Sequence, residues 1–185
     1  MKKIPFCGID EAGRGPLAGA LTIAGVILHR PILGLNDSKK LSEKKRESLF
    51  EEIIANSTYH IARFDASAID ELGLSACLAS GLREIMNAIG EADYLYDGNS
   101  TFGVSGLKTL IKADATIPEV SAASILAKVT RDREMVKLAP LYPQYGFEGH
   151  KGYGSSAHIE AIRTYGYCEI HRKSFKLKAL QGSLF

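Results

Sequence analysis

Two adjacent carboxylates, Asp10 and Glu11, close a short apolar segment and lead into Gly13-Arg14-Gly15-Pro16. Neighbouring acids at a strand end repel one another, and they are costly there unless water or a cation shares their charge. Two more acids hold comparable places. Asp97 follows the apolar Tyr94-Leu95-Tyr96, and Asp114 stands a few residues before Pro118. Strand ends can meet at one edge of a sheet, where α/β proteins place their sites. Four carboxylates gathered there would bind hard divalent cations through oxygen. No His or Cys stands beside them, so Mg²⁺ or Mn²⁺ suits the set better than Zn²⁺. A pair of such ions can activate a water and stabilise the leaving oxygen of a phosphodiester. One constraint follows from the strand itself, because consecutive side chains point to opposite faces. Either the strand ends between Asp10 and Glu11, or Asp10 is the direct ligand and Glu11 reaches round the edge.

The elements that must position these acids are legible in the pattern. Residues 4–10 read as a short buried strand broken by the glycine turn. Residues 20–28 form a nearly continuous apolar run, as in a central strand. Ser42 caps a helix through Ile54, and residues 59–64 alternate as a third strand. Ser67-Ala-Ile-Asp70 reads as a capping box opening a helical region to about Ile89, with Gly73 and Gly81 as points where it could break. Residues 94–97 and 107–111 give a fourth and fifth strand. Pro118 opens a helix through Leu138, which Pro140 and Pro143 close. Ser155 or Ser156 caps a last helix ending at Tyr165 and Gly166. The expectation is a mixed five-stranded α/β sheet flanked by helices, with a C-terminal helical extension.

At 185 residues, 45% hydrophobic and 24% charged, the chain suits a single domain with its own core, which excludes disorder and fibrous classes. No apolar run reaches the length of a membrane span, and no secretory leader is expected. Cys7, Cys77 and Cys168 are widely spaced without a C-x-x-C pair, so reduced thiols and a cytoplasmic location are expected. The 23 Lys and Arg nearly balance 21 Asp and Glu, yet residues 150–185 hold six basic residues against two acidic ones. A basic end on a near-neutral body suits either a polyanion partner or a solvated helix and tail.

At the level of motifs the resemblance becomes specific. Residues 8–16, Asn36-Asp37-Ser38-Lys39-Lys40-Leu41-Ser42, Asp97-Gly98 and Lys112-Ala113-Asp114 resemble ribonuclease HII. So do residues 121–132, His150-Lys151-Gly152-Tyr153-Gly154 and Ile170-His171-Arg172-Lys173-Ser174-Phe175, all in the family's order. The resemblance implies an RNase H-like fold, with residues 1–178 as catalytic domain and about 140–178 as its helical, basic part. It implies cleavage of RNA in RNA–DNA hybrids and incision 5′ to single ribonucleotides embedded in duplex DNA. It implies two-metal hydrolysis giving 3′-OH and 5′-phosphate ends, with Asp10, Glu11, Asp97 and Asp114 as the metal-binding and catalytic acids. Gly13, Arg14 and Gly15 would approach the ribonucleotide 2′-OH, the group that separates RNA from DNA, and Tyr153 would stack on the deoxyribose that follows. Ser38 and Lys39 fall in the substrate-binding set, the lysine facing phosphate. The ribonuclease HIII pattern fits less well because the fourth acid is Asp114 rather than Glu and no extra N-terminal domain is present. Ribonuclease HI lacks the adjacent Asp-Glu pair.

Other residues read more plainly. Ala122, Ala123 and Ala127 suit tight helix packing, with Ser124 and Lys128 left open. Asp132 beside Arg131 and Arg133 reads as a helix-surface ion pair. His150 and His171 could meet phosphate, whereas His29, His60 and His158 read as surface or edge residues, and Cys168 as packing. The tail, residues 179–185, carries Gln181, Leu184 and Phe185 in a pattern resembling the Gln-x-x-Leu-Phe peptide that docks on the bacterial sliding clamp. A monomer is the default. A dinucleotide-binding oxidoreductase fits Gly13-x-Gly15-x-x-Ala18 nominally, but Pro16 and an apolar strand-like run stand where that fingerprint needs a helix. A non-catalytic nucleic-acid-binding module would leave four acids repelling its ligand.

Overall fold

A computed structural model describes residues 4–175. β1 (Phe6–Ala12) pairs antiparallel with β2 (Leu21–Leu28), and β3 (Ser57–Phe64) continues the sheet antiparallel beyond β2. α1 (Glu43–Ala55) precedes β3; α2 (Ala66–Leu72) and α3 (Leu74–Ile89) follow it. β4 (Asp93–Asp97) and β5 (Leu107–Leu110) lie parallel to β1 on its other side. The order is therefore β3-β2-β1-β4-β5, with β1 central. α4 (Pro118–Leu138), α5 (Phe147–His150) and α6 (Ser156–Tyr165) complete the described chain. This is the mixed five-stranded sheet with flanking helices and a C-terminal helical extension that the sequence predicts.

β2 shows why the sheet is covered on both faces. Leu21 and Ile23 join a core with Leu78, Leu82 and Ile85 of α3, while Ala24 and Val26 join a second core with α1 and α4. Alternation sends successive side chains to opposite faces, and a strand buried on both sides reads as a continuous apolar run. α4 crosses very close to β1. A Cβ built on Gly8 would lie 2.3 Å from the Val120 backbone nitrogen, so only glycine admits the helix there. Ala122, Ala123 and Ala127 are buried on the same helix, as their size predicts. Among the described residues no helix is long and apolar enough to cross a membrane.

Three details differ from the sequence reading. β1 does not stop at Asp10. Residues Asp10, Glu11 and Ala12 pair with Ala24, Ile23 and Thr22, so the ladder carries the strand through both acids. The cap of α2 is Asp65, whose side chain accepts from the Ala68 amide at 2.9 Å, and not a box begun at Ser67. Asp70 instead accepts from the amides of Lys173 and Ser174, tying the C-terminal segment to α2. α5 has no counterpart in the predicted elements, while the helical region breaks at Gly73, one of the two points the sequence offered.

The C-terminal extension packs Tyr145, Phe147, Ala161 and Ile162 against Met135 of α4 and Leu17. Inside it lie two histidines, contrary to the surface reading of His158 and the phosphate reading of His171. Their relative exposures are 0% and 1%. The Cys168 amide donates to His171 Nδ1 at 2.9 Å, so the His171 proton sits on Nε2. His171 Nε2 then donates to His158 Nε2 at 3.0 Å, and His158 Nδ1 donates to the Tyr153 carbonyl at 2.9 Å. Each ring has one donor and one acceptor in use, so both are neutral. Burial, with the neighbouring histidines, pulls the pKa of His171 down to about 4 and that of His158 below its ordinary value. Ring neighbours Tyr145, Tyr167 and His150 add no acid that would oppose this.

A group with a lowered cationic pKa contributes stability above its unfolded pKa and loses it as pH falls toward the folded value. The stability advantage of the wild type over His171→Gln should be about 2 kcal/mol smaller at about pH 5 than at about pH 7. Urea unfolding at the two pH values measures it. An advantage that does not change between them would place a charged histidine in the pair.

Candidate active site

Asp10 lies in β1, Asp97 ends β4, and Asp114 sits in a 3₁₀ turn, Ala113–Ala115, just after β5. Parallel pairing of β1 with β4 and of β4 with β5 brings the three to one sheet edge. One carboxylate oxygen from each of Asp10, Asp97 and Asp114 lies within 4.8 Å of the others. The Ala113 amide donates to Asp97 at 3.3 Å, which orients that carboxylate, and the Ser121 hydroxyl donates to the Asp114 carbonyl at 2.6 Å, which fixes the turn on α4. Glu11 stands outside the trio. One of its oxygens accepts from the Tyr96 hydroxyl at 2.6 Å, and the other pairs with Arg14 at 3.4 Å. The ladder runs through both acids, so the strand does not end between Asp10 and Glu11, and alternation separates their side chains.

The electrostatics are adverse without a cation. Burial, then the charges of Glu11, Asp97 and Asp114, hold the Asp10 carboxyl well above its usual range. Burial, followed by the charge of Asp97, raises Asp114 to about 6. Burial also raises Glu11, against the opposing pull of Tyr96 and Arg14. An all-oxygen set of clustered carboxylates, in which burial and neighbouring charges raise Asp10 and Asp114, fits a hard divalent cation.

The glycine turn is held from beneath. Gly13 has φ +97°, and a Cβ there would meet both the Ala20 carbonyl and Arg131 Nε at 2.5 Å. Arg131 donates to the carbonyls of Ala18, Ala20 and Lys151 at 2.9–3.0 Å. Arg172 donates to Gly19 at 2.8 and 2.9 Å and to Arg14 at 3.2 Å. Both arginines are essentially inaccessible, with exposures of 0% and 1%. Burial, then the charge of Arg131, lowers the pKa of Arg172 to about 10. These positions correct two sequence readings. Asp132 does form an ion pair along the helix, but with Lys128 at 2.8 Å and not with Arg131, and Arg133 pairs with Glu47 and Glu51. Arg172 does not belong to a basic surface for a polyanion.

Two adjoining cavities share Asp10, Glu11 and Lys39. One, about 470 Å³, adds Asp97, Lys112 and Asp114; the other, about 440 Å³, adds Gly13, Arg14, Gly15, Ser38, Ser124, Lys128 and Tyr153. The predicted acids and the predicted substrate residues thus border one cleft. Ser38 is buried and receives the Ser124 hydroxyl at 2.7 Å, which leaves Lys39 at the opening. Tyr153 is 42% exposed, with Lys128 Nζ and Arg131 Cζ 5.6 and 5.3 Å from its ring centroid. Ser124, Lys128 and Arg131 had a usable signal, since their spacing places them on one helix face. Arg172 stood in a family-like motif without a sign of its buried role, and nothing in the sequence gave Tyr96 a part in the site. A larger cavity, about 660 Å³ between α1 and α4, contains none of the predicted site residues. Gln181, Leu184 and Phe185 lie outside the described residues.

The family model described as Ribonuclease HII matches residues 7–178. The chain belongs to the ribonuclease HII family. The ribonuclease HII of a Sulfurovum species is 63% identical over 176 residues, covering 95% of this chain and 94% of its own length. The RNase HII in the PCNA:RNase HII complex from Archaeoglobus fulgidus superposes with a TM-score of 0.81 at 28% identity, covering 95% of this chain and 96% of that one. Ribonuclease H2 from Pyrococcus horikoshii gives 0.78 at 29% identity, covering 94% of each chain. As a ribonuclease HII, the protein is a nuclease with ribonuclease H endonuclease activity, and its acidic trio fits divalent-metal binding.

Removing one of the crowded carboxylates should stabilise the metal-free protein. Asp10→Asn keeps an oxygen for the Glu11 amide, which donates to Asp10 at 2.7 Å, and removes a buried charge. In EDTA its Tm should exceed that of the wild type by several degrees, about 1–2 kcal/mol. Adding Mn²⁺ or Mg²⁺ should raise the Tm of the wild type and leave the variant nearly unmoved. Differential scanning calorimetry with and without metal measures both effects.

Proposed function

We propose that this ribonuclease HII cleaves RNA in RNA–DNA hybrids and incises 5′ to a single ribonucleotide embedded in duplex DNA, leaving 3′-OH and 5′-phosphate ends. The observation that carries the reading is the continuity of the cleft: clustered carboxylates at one end, and the Gly13–Gly15 turn and the exposed Tyr153 ring at the other.

Asp10, Asp97 and Asp114, with Glu11 beside them, are the residues that would hold two divalent cations, Mn²⁺ or Mg²⁺. When bound, such ions neutralise phosphate charge, acidify a water and stabilise a leaving oxygen. The protein's own groups do the rest. Asp97, fixed by the Ala113 amide, keeps its oxygens aimed at the trio. Glu11, restrained by Tyr96 and Arg14, faces the boundary between the two cavities. The turn's carbonyls at Arg14, Ala18, Gly19 and Ala20 are committed to the buried arginines, so the Gly13-Arg14-Gly15 backbone has a fixed course along the cleft. A backbone without side-chain bulk can come within hydrogen-bonding distance of a 2′-OH. Lys39, with Ser38 beneath it, stands where a phosphate would pass. The Tyr153 ring offers a flat surface for the sugar on the DNA side of the junction.

One chain supplies every residue of this cleft, which suits a monomer. The three cysteines carry no disulfide, which suits a reducing, cytoplasmic setting. Residues 1–178 would act as the catalytic domain and residues 179–185 as a peptide for the sliding clamp. The Archaeoglobus relative solved with PCNA supports the second part.

A labelled DNA duplex carrying one ribonucleotide should be cut once, on the 5′ side, in Mn²⁺ or Mg²⁺ and not in EDTA. Cutting confined to long hybrids would keep the nuclease and remove the junction specificity. Asp97→Asn should lower kcat by about a hundredfold or more while the thermal transition remains cooperative; retained activity would remove Asp97 from the ligand set. Deleting residues 181–185 should abolish clamp binding in a surface-plasmon assay and leave cleavage intact. Unchanged clamp binding would refute the tail's role.

A further inference from the structure

We propose that His158, ordered by His171, is a positioning residue for Tyr153, needed for cleavage at an RNA–DNA junction and dispensable inside a long hybrid. The inference rests on the reading that Tyr153 meets the sugar at the junction.

Tyr153 presents its ring to the cleft from a short connection between α5 and α6, so its aim is set by its backbone. That backbone is bonded residue by residue. The Lys151 carbonyl is taken by Arg131, the Gly152 carbonyl by the Leu17 amide at 2.8 Å, and the Gly152 amide by His150 Nδ1 at 3.2 Å. Tyr153 donates its amide to the His150 carbonyl at 2.9 Å. Its own carbonyl accepts from the Ser155 amide at 2.8 Å and from His158 Nδ1 at 2.9 Å. The Ser155 bond is local to the turn and moves with it. Arg131 and Leu17 hold the two residues before Tyr153, and the histidine bond is the one that ties the Tyr153 carbonyl itself to a buried side chain.

The anchor has a single direction. Protons point from the Cys168 amide to His171, from His171 to His158, and from His158 to the Tyr153 carbonyl. A neutral imidazole has one donor and one acceptor, so fixing the first bond fixes the rest. His150 stacks on His158 at 4.4 Å and 13° and holds the other side of the ring. Two buried imidazoles cost more desolvation than apolar side chains of equal volume. A fully satisfied polar pair instead fixes one arrangement.

The two ring nitrogens of His158 do different jobs, and this permits a test. His158→Asn keeps an N–H donor near the Nδ1 position, toward Tyr153. His158→Gln carries its amide out to the Nε2 position, toward His171, and leaves the Tyr153 carbonyl without its anchor. Steady-state cleavage is measured on a duplex with one ribonucleotide and on a long RNA–DNA hybrid. His158→Gln should lower junction kcat/KM about tenfold, the size of one lost hydrogen bond, with hybrid cleavage within about threefold of wild type. His158→Asn should keep the wild-type ratio of the two activities. In a Tyr153→Ala background, His158→Gln should have no further effect at the junction, because both changes act through one side chain.

Equal losses on both substrates, equal effects of the two His158 variants, or additivity with Tyr153→Ala would each overturn the proposal. Tyr153→Ala alone separates the levels. If it leaves the junction-to-hybrid ratio unchanged, the stacking reading fails; if it changes the ratio and His158→Gln does not, the positioning role fails. Should the His158 variants not fold, NMR of the wild-type histidine nitrogens at about pH 7 decides, since a His158 protonated at Nε2, or a charged ring in the pair, contradicts the proposed order.

Discussion

A carboxylate loses hydration on burial, and a second carboxylate beside it makes the loss worse. Asp10, Asp97 and Asp114 nevertheless share one pocket of the sheet edge, and the surrounding architecture explains how they are kept there. β1 is pinned on both sides, antiparallel to β2 and parallel to β4, so Asp10 cannot retreat by fraying. Gly8 lets α4 lie directly on that strand, and α4 in turn fixes the Asp114 turn through Ser121. The repulsion is thus borne by an apolar core on both faces of the sheet rather than relieved by local movement. A site assembled this way is strained when metal-free and relaxed when cations share its charge.

The opposite charge is also buried, in Arg131 and Arg172. Among the described residues Arg131 and Arg172 have no carboxylate partners; their bonds go to backbone carbonyls of the glycine turn and of Lys151. Charged donors make stronger hydrogen bonds than neutral ones, which offsets part of the desolvation cost. Arg131 Nη1 has no oxygen acceptor among the described residues, so the compensation is incomplete. What the pair achieves is the shape of a loop that has few side chains of its own to hold it. Glycine gives the turn its course, and glycine cannot anchor it. The anchoring has to come from outside the loop.

That division explains what could be read from the sequence. Strand and helix periods, the Ser42 and Ser155 caps and the Pro118 start are local signals, and they placed the elements to within a residue or two. The acids were legible because their type is expensive at strand ends unless it has work to do. The alternation rule left two placements for Asp10 and Glu11, and the β1–β2 ladder removes the one in which the strand ends between them. Arg131, Arg172, His158 and His171 were misplaced for one shared reason. Charged and titratable residues default to the surface, and their backbone partners here lie up to 158 positions away along the chain. A carbonyl has no identity in a sequence. No pattern of residue types could announce that Arg172 would be satisfied by Gly19.

The same buried groups tie together the two halves of the proposed recognition surface. Arg131 binds the glycine turn at Ala18 and Ala20 and the Tyr153 connection at Lys151, while Leu17 and Ala18 donate amides to Gly152. The turn that would meet a ribose and the ring that would meet the next deoxyribose are therefore parts of one rigid unit. Neither can shift without moving the other. A sensor for a junction between two sugars needs a fixed spacing more than it needs strong contacts, because the discrimination lies in having both sugars in place at once. Exposed loops held only by their own turns would let that spacing vary. Anchoring both to one guanidinium inside the fold removes that freedom, and it accounts for a fully buried arginine in a helix whose other buried side chains are small or apolar.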